Sequence, residues 1–233
     1  MNIGASDAYL SSGDVVKNPT LLNVPLAISA QQVNYNVPGL SAGTYLNLNG
    51  AVLAQMYEGK ITAWNSPAIA ALNPGVELPP IKVMPLHRSD SSGDTFLFTA
   101  YLSAHNSAWN HDIGYGTVVD WPIAKDAVAW AKNSGIVAGC KATPGCVAYV
   151  GISYLSQAVA DGLGEARLEN TAGQYLLPAA ASVSAAAGAS ASSTPANGTI
   201  SMIDSLAAAG HPIVNGLEAG VIGAALIMLA GCT

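Results

Sequence analysis

The chain has 233 residues, of which 51% are hydrophobic and 9% are charged, and its formal net charge is −6 at pH 7. An average soluble protein has roughly 25% charged residues, so this composition can bury a core and does not fit a disordered chain. The acidic balance argues against general nucleic-acid binding, which needs a basic surface. No apolar run reaches the roughly 20 residues that a membrane-spanning helix needs.

Strand-like and helix-like segments alternate along the first two thirds of the chain. Strands are predicted at 26–36, 81–86 and 146–152. Helices are predicted at 51–57, between 65–67 and 73–75, from 94 to about 103, and at 153–160. Asn49 is a suitable N-cap for the first of these helices, and Pro67 suits the first position of the second. This alternation predicts an α/β fold with a mixed or parallel sheet.

Two later segments are less clear. Residues 178–193 are rich in Ala and Ser, which fits either a linker or a helix that starts at Pro178, and the high helix propensity of Ala favours the helix. The apolar run Gly220 to Gly231 predicts an apolar tail packed as a buried helix. It ends in Leu-Ala-Gly-Cys, which looks like the cleavage box of a bacterial lipoprotein signal, although such a box belongs at the start of a protein.

Three cysteines are present, and two of them bracket a short turn. Cys140 and Cys146 flank Lys-Ala-Thr-Pro-Gly. This spacing can bring the two Cβ atoms within disulfide range, which indicates an oxidising, extracytoplasmic compartment. A metal site is the other reading of such a pair, but it would need two further ligands nearby, and none is evident. Cys232 is left over.

The segment with the strongest chemical signal is His-Arg-Ser-Asp-Ser-Ser-Gly-Asp-Thr-Phe at 87–96. A strand delivers Arg88 into a turn of small polar residues, and a helix starts directly after it. The first N–H groups of a helix lack intrahelical partners and carry positive partial charge. Together with the guanidinium of Arg88 and the hydroxyl of Ser92, they predict an anion cradle. The alternative is a capped helix, with Asp90 or Ser92 as the N-cap and Arg88 in a surface ion pair.

Two other hypotheses compete with the anion cradle: a hydrolase triad and a metal site. Ser92 and His87 could belong to a hydrolase triad, but no Gly-x-Ser-x-Gly elbow is present. His105, His111 and Asp112 could bind a metal, but no Cys or Glu completes a set, so surface histidines are the better interpretation.

Several spaced segments resemble one family. They are 2–8, 26–39, 53–64, 70–75 and 87–96, and they occur in this order. Together they resemble the phosphate-binding component of the Pst-type ABC phosphate transporter, a periplasmic-binding-protein-like lipoprotein. The likeness covers roughly residues 2–215 and includes the Cys140/Cys146 pair.

The resemblance implies a periplasmic binding protein-like (type II) α/β fold, in which phosphate is clamped between two lobes without chemical turnover. It assigns phosphate binding to Asp7, Arg88, Ser92, Gly93 and Asp94. Many members of the family have Thr where this chain has Asp94. A buried carboxylate beside an anion repels it unless the anion carries a proton. Phosphate keeps a proton near neutral pH and sulfate does not, so Asp7, together with Asp94, is expected to select phosphate.

Part of the family pattern is expected to be missing at both ends of the sequence. At the start, the family's first phosphate-binding loops and a recognisable signal are not seen, and at the end the resemblance fades at about Asn215, before the portion that returns to the first lobe. The expected organisation is a remnant of the first lobe at 1–27, a complete second lobe at 28–213 and a divergent apolar tail at 214–233. The expected partners are inorganic phosphate and the permease and ATPase subunits of the transporter, in an extracytoplasmic location. A lipid anchor is expected to be missing or misplaced, and no cofactor is expected. The alternatives are a truncated fragment that no longer binds phosphate and a phosphoryl-handling enzyme.

Overall fold

The computed structural model describes residues 3–6, 8, 16–41, 43–122, 128–170, 172–183 and 225–231. Among these residues, no helix is both long enough and apolar enough to cross a bilayer.

A five-stranded mixed sheet forms the centre of the fold. Its strands are β3 (Gln31–Asn36), β5 (Met84–Arg88), β6 (Val128–Trp130), β7 (Cys146–Gly151) and β8 (Gly164–Glu165), in the order β6-β5-β7-β3-β8. β5 runs parallel to both β6 and β7, whereas β3 is antiparallel to β7 and β8. This arrangement confirms the predicted α/β class with a mixed sheet.

Helices cover both faces of this sheet. They are α1 (Gly50–Tyr57), α2 (Pro67–Leu72), α3 (Gly93–His105), α4 (Ser107–Asp112), α5 (Lys132–Ala142) and α6 (Leu155–Ala160), and a 3-10 turn at Ile152–Tyr154 precedes α6. Side chains of β7 alternate between two buried clusters. Val147 and Tyr149 join the larger cluster, and Ala148 and Val150 join the smaller one. The central strand is therefore buried on both faces, as expected for a sheet that helices cover on both sides.

Two smaller sheets complete the fold. β4 (Asn47–Leu48), β9 (Arg167–Glu169) and β10 (Tyr175–Leu176) form one of them. β1 (Ile3–Ser6), β11 (Ala225–Gly231) and β2 (Leu21–Ile28) form the other, in which β11 is the central strand and is antiparallel to both neighbours. The pairing joins the last described segment of the chain to the first.

The apolar tail is where the sequence interpretation was wrong. A buried helix was expected at 220–231, but Ala225–Gly231 is a strand. Ala, Leu and Met favour helices, yet β1 and β2 both offer backbone hydrogen-bonding groups to this segment, and tertiary pairing of this kind overrides intrinsic propensity. Cys232 lies outside the described residues.

Most other element predictions agree with the structure to within a few residues. The strand predicted at 26–36 is divided between β2 and β3. Asn49 caps α1, accepting a hydrogen bond from the Val52 N–H, and Ser66 caps α2 directly before Pro67. Residues 180–183 are helical, in agreement with a helix after Pro178, but 184–193 lie outside the described residues.

The predicted disulfide is present. Cys140 near the end of α5 and Cys146 at the start of β7 are bonded, with their Cα atoms 5.3 Å apart. Both residues are fully buried. The bond therefore fixes the turn that returns the chain from α5 to the centre of the sheet.

Candidate functional site

The anion cradle forms where β5 ends and α3 begins. Arg88 is the last residue of β5, and Ser92 is the N-cap of the 13-residue helix α3. The Ser92 hydroxyl accepts a hydrogen bond of 3.1 Å from the Asp94 N–H. The N–H groups of Gly93 and Thr95 have no hydrogen-bond acceptor among the described residues. Two donors at the positive end of the helix dipole are thus available to an anion.

The guanidinium of Arg88 is held in a defined orientation. Its side chain is only 9% exposed. Nε and Nη2 donate to the two carboxylate oxygens of Asp90, at 2.7 and 2.5 Å. Nη1 donates to Oδ1 of Asn133 at 3.0 Å and lies 3.5 Å from Oδ2 of Asp94. A bidentate carboxylate contact of this kind fixes the plane of the arginine fork.

The carboxylate of Asp94 lies within the same network. Its Oδ2 accepts from the side-chain amide of Asn133 at 2.7 Å, and its Oδ1 accepts from that of Gln31 at 3.2 Å. A side chain at Gly151 would begin 3.1 Å from Asn133 Nδ2 and 3.3 Å from Asp94 Oδ1. The glycine at the end of β7 therefore leaves room for this pair beside the strand.

The buried side chain of Tyr149 forms hydrogen bonds to two residues of the cradle region. The hydroxyl of Tyr149 accepts from the Arg88 backbone N–H at 3.0 Å and lies 2.8 Å from the Thr95 hydroxyl. Burial raises the pKa of Tyr149 to about 12, against smaller lowering effects of its hydrogen bonds to Thr95 and Arg88. The ring stacks on Phe98 with centroids 4.5 Å apart. This hydroxyl thus links the end of β5 to the first turn of α3.

The charges of the cradle stabilise one another. The hydrogen bond from Arg88 is the main reason why the pKa of Asp90 lies far below its usual value. Burial lowers the pKa of Arg88, but the hydrogen bond to Asp90 and the charges of Asp90 and Asp94 outweigh burial, so the net shift is upward. Arg88 is therefore a permanent cation at this position.

The structure brings together four of the five predicted site residues, namely Arg88, Ser92, Gly93 and Asp94. Asp7 lies outside the described residues, although it directly follows β1. The alternative interpretation as a capped helix is correct in part, because Ser92 is the N-cap and Arg88 pairs with Asp90. The guanidinium is nevertheless largely buried, unlike that of a surface ion pair.

Three members of the network were not anticipated from the sequence: Gln31, Asn133 and Tyr149. The sequence did contain an indication for Gln31, because β3 is a buried strand that nevertheless contains the polar residues Gln31, Gln32 and Asn34. Its side-chain Oε1 is itself buried without a partner among the described residues. Asn133 and Tyr149 had no local signal, because only the parallel pairing of β5 with β6 and β7 brings their elements next to Arg88.

The residues of the two competing interpretations make other contacts in the structure. The ring of His87 stacks on Trp121, and its Nδ1 lies 3.0 Å from the Arg88 carbonyl oxygen, with no described contact to Ser92. Burial lowers the pKa of His87. Nδ1 of His105 lies 2.8 Å from the Tyr101 carbonyl oxygen, whereas His111 pairs with Asp112 at the surface. The described ranges contain no group of three or more His, Cys, Asp or Glu side chains suited to a metal.

Sequence comparison defines the family. The family described as PBP superfamily domain matches residues 4–219. The chain belongs to this superfamily. Among its relatives, a protein named phosphate-binding protein PstS from Xylella fastidiosa (strain Temecula1) is 36% identical over 187 residues, which cover 80% of this chain and 49% of the relative. A protein of the same name from Methanocaldococcus jannaschii is 38% identical over 191 residues, which cover 80% of this chain and 47% of the relative. The chain thus spans about half the length of these superfamily relatives.

Solved structures of phosphate-binding proteins share the fold. The high affinity periplasmic phosphate-binding protein PfluDING, solved with phosphate, superposes with a TM-score of 0.67 at 22% identity, over 99% of this chain and 65% of that one. A human phosphate binding apolipoprotein gives a TM-score of 0.67 at 18% identity, over 99% and 66% of the two chains. At these identities the likeness establishes the fold alone.

Proposed function

We propose that the chain binds inorganic phosphate at the cradle of Arg88, Ser92, Gly93 and Asp94, without chemical turnover. The observation that carries the proposal is the combination of a buried guanidinium held by Asp90 with two N–H groups at the start of α3 that have no acceptor among the described residues. Tetrahedral oxyanions match both features, because a guanidinium fork and helix N-terminal amides both bind such oxygens.

The charge balance favours an anion that carries a proton. Arg88 contributes one positive charge, whereas Asp90 and Asp94 contribute two negative charges when ionised, so the cluster has a formal charge of −1 (1 − 2). A fully deprotonated anion such as sulfate would meet this negative charge without compensation. Phosphate keeps a proton at neutral pH and can donate it to a carboxylate, which turns a repulsion into a hydrogen bond.

Asp94 is positioned to receive such a proton. Its carboxylate oxygens offer about four acceptor sites, of which Gln31 and Asn133 occupy two. The side chain of Asp94 is 13% exposed. Its remaining acceptor sites are therefore largely shielded from water, where leaving an acceptor without a hydrogen bond is energetically unfavourable. We assign a second proton-accepting role to Asp7, on its sequence position after β1.

The transport context comes from the relatives. Two of them carry the name PstS, and a fold neighbour from Vibrio cholerae is described as an ABC-type phosphate transport receptor. We therefore propose an extracytoplasmic phosphate receptor that delivers its ligand to permease and ATPase subunits of an ABC transporter. The buried Cys140–Cys146 disulfide supports an oxidising compartment.

Isothermal titration calorimetry with phosphate and with sulfate, from about pH 5 to about pH 8, tests the binding proposal. We expect saturable heat with phosphate and none with sulfate. A chain that is folded by circular dichroism and gives no heat with phosphate would be the non-binding fragment. Equal heats for the two anions would contradict selection of phosphate through its proton. Release of phosphate from a phosphoester would indicate an enzyme.

An isosteric variant sharpens this experiment. Asp94→Asn removes the charge that repels sulfate and keeps the size of the side chain. We expect the ratio of the sulfate Kd to the phosphate Kd to fall by about tenfold or more, since one hydrogen bond to a charged group contributes about 1.5–3 kcal/mol. Asp112→Asn, which removes an exposed carboxylate on α4, is the matched control and should leave the ratio unchanged.

A further inference from the structure

A cavity lies apart from the anion cradle. It has a volume of about 370 Å³ and lies between the turn that follows β3 and the segment from α6 to β8. Tyr35, Tyr45, Val159 and Glu165 are among the residues that line it, and no residue of the cradle does so. The volume falls within the range of small-molecule sites, about 300–1,000 Å³.

Glu165 is the charged residue of this lining. It is on β8 opposite Asn34, and it is only 9% exposed. Its carboxylate has no hydrogen-bond or ion-pair partner in the described part of the chain. Burial raises the pKa of Glu165. The carboxylate oxygens of Glu165 keep some solvent access, so a cationic ligand in the cavity can pair with them.

The remaining lining suits an organic group. The hydroxyl of Tyr35 donates to the Thr44 carbonyl at 2.5 Å and accepts from the Leu46 N–H at 3.1 Å, so its polar end is already engaged within the protein. Tyr45 is 40% exposed and Val159 is 61% exposed, and both contribute apolar surface to the cavity.

The Tyr45 ring already has a cationic neighbour within the protein. The guanidinium of Arg167 lies 5.2 Å from its centroid, a cation–π contact. Arg167 has no ion pair with Glu165 among the described residues, although the two are neighbours on the chain at i and i+2. Because Arg167 already occupies this cation–π contact, Tyr45 offers a ligand apolar contact, and the carboxylate of Glu165 supplies the attraction for a cation.

We propose that this cavity binds a monovalent organic ammonium ion, with Glu165 as its counter-ion and Tyr35, Tyr45 and Val159 as its apolar contacts. One positive charge neutralises the one charged residue of the lining. A hard cation such as Ca²⁺ fits less well, because it takes six to eight oxygen ligands and this lining supplies a single carboxylate. The site is independent of the proposed phosphate binding.

Phenethylammonium is a suitable probe, because it joins one ammonium group to an apolar ring that a cavity of this volume can hold. Its neutral analogue 2-phenylethanol reports the apolar contribution alone. Ligand-observed NMR titration of the 233-residue chain should show saturable binding of the amine and binding of the alcohol that is weaker by about tenfold or more. Equal affinities, or no amine binding to the folded chain, would overturn the proposal.

Two pairs of variants locate the site. Glu165→Gln should weaken amine binding by about tenfold or more, whereas Glu77→Gln, an exposed carboxylate, should not. If Glu165→Gln fails to fold, Val159→Arg takes its place, because an exposed position tolerates the substitution and the new cation repels or replaces the ligand. Val118→Arg, at a position 69% exposed, is its control. Amine binding that survives both test variants contradicts the assignment. Arg88→Lys should bind the amine normally, which separates this site from the cradle.

Discussion

Arg88 has five N–H donors, and the structure uses three of them for two contacts to Asp90 and one to Asn133. The other two donors, one on Nη1 facing Asp94 and one on Nη2, have no hydrogen-bond acceptor among the described residues, and Asp90 sets the plane of the fork. The side chain of this arginine loses most of its conformational entropy on folding. Binding an anion therefore orders it little further. A lysine at the same position would have neither the fork nor the bidentate contact.

We therefore expect Arg88→Lys to weaken phosphate affinity by about a hundredfold, since two hydrogen bonds to a charged group are altered. Calorimetry measures the affinity, and circular dichroism checks the fold. Arg167→Lys makes the same chemical change on β9, outside the cradle, and should bind phosphate like the unmodified chain. An Arg88→Lys affinity close to that of the control would show that the guanidinium does not contact the anion.

The Asp90 carboxylate makes the stability of the chain depend on acidity. Arg88 lowers the pKa of Asp90 in the folded chain, whereas in the unfolded chain the pKa is about 4. The pair therefore stabilises the fold above about pH 4, and this contribution is lost as the pH falls through the folded-state pKa.

Asp90→Asn should accordingly lower the free energy of unfolding at neutral pH, and the difference from the unmodified chain should shrink below about pH 4. Urea unfolding at several pH values measures it. Asp90 is 38% exposed, so the effect is reduced by solvent. Asp112→Asn serves as the surface reference. A difference that stays constant down to low pH would exclude the carboxylate–guanidinium pair as its source.

At the scale of elements, the loop closed by the disulfide connects α5 to β7. The two cysteines are six positions apart, and closing a short loop restricts the unfolded chain less than closing a long one. Replacement of both Cys140 and Cys146 by Ala should therefore cost about 2 kcal/mol, plus the loss of two buried sulfurs. Urea unfolding measures the change. Dithiothreitol should lower the stability of the unmodified chain and leave the double variant unaffected, and an equal response of both would contradict a stabilising bond.

Elements with local signals were predictable from the sequence, and those without were not. Asn49 and Ser66 cap their helices through side chains that lie within three residues of the N–H groups they bind, so α1 and α2 could be placed closely. The strand β11 depends on partners more than 190 positions away, such as Val24 opposite Met228. No local pattern carries that information, and a helix was predicted instead.

The same distinction applies to the candidate site. Arg88, Ser92, Gly93 and Asp94 lie within seven consecutive positions at the junction of one strand and one helix, and this motif was recognised. Asn133 and Gln31 reach Asp94 from 39 and 63 positions away. Their contribution follows from the order of strands in the sheet, which an isolated sequence does not specify.

At the scale of the whole molecule, the first and last described segments depend on each other. β1 and β2 do not pair with one another but each pairs with β11, and Met228 lies opposite Ala5 on one side and Val24 on the other. Asp7 directly follows β1. The strand that directly precedes this predicted phosphate-binding residue therefore depends on a strand that begins more than 200 residues later.

Met228→Pro tests this dependence, because proline removes a ladder donor and is not accommodated in a central strand. Hydrogen exchange measured by mass spectrometry should show rapid exchange at 3–6 and 21–28, while β3, β5 and β7 stay protected. Phosphate affinity should fall as well, since the proposed ligand residue Asp7 directly follows the strand that loses its partner. Met228→Leu keeps the donor and the apolar side chain, so it should exchange like the unmodified chain. If protection at 3–6 persists in the proline variant, β11 does not hold β1 in place.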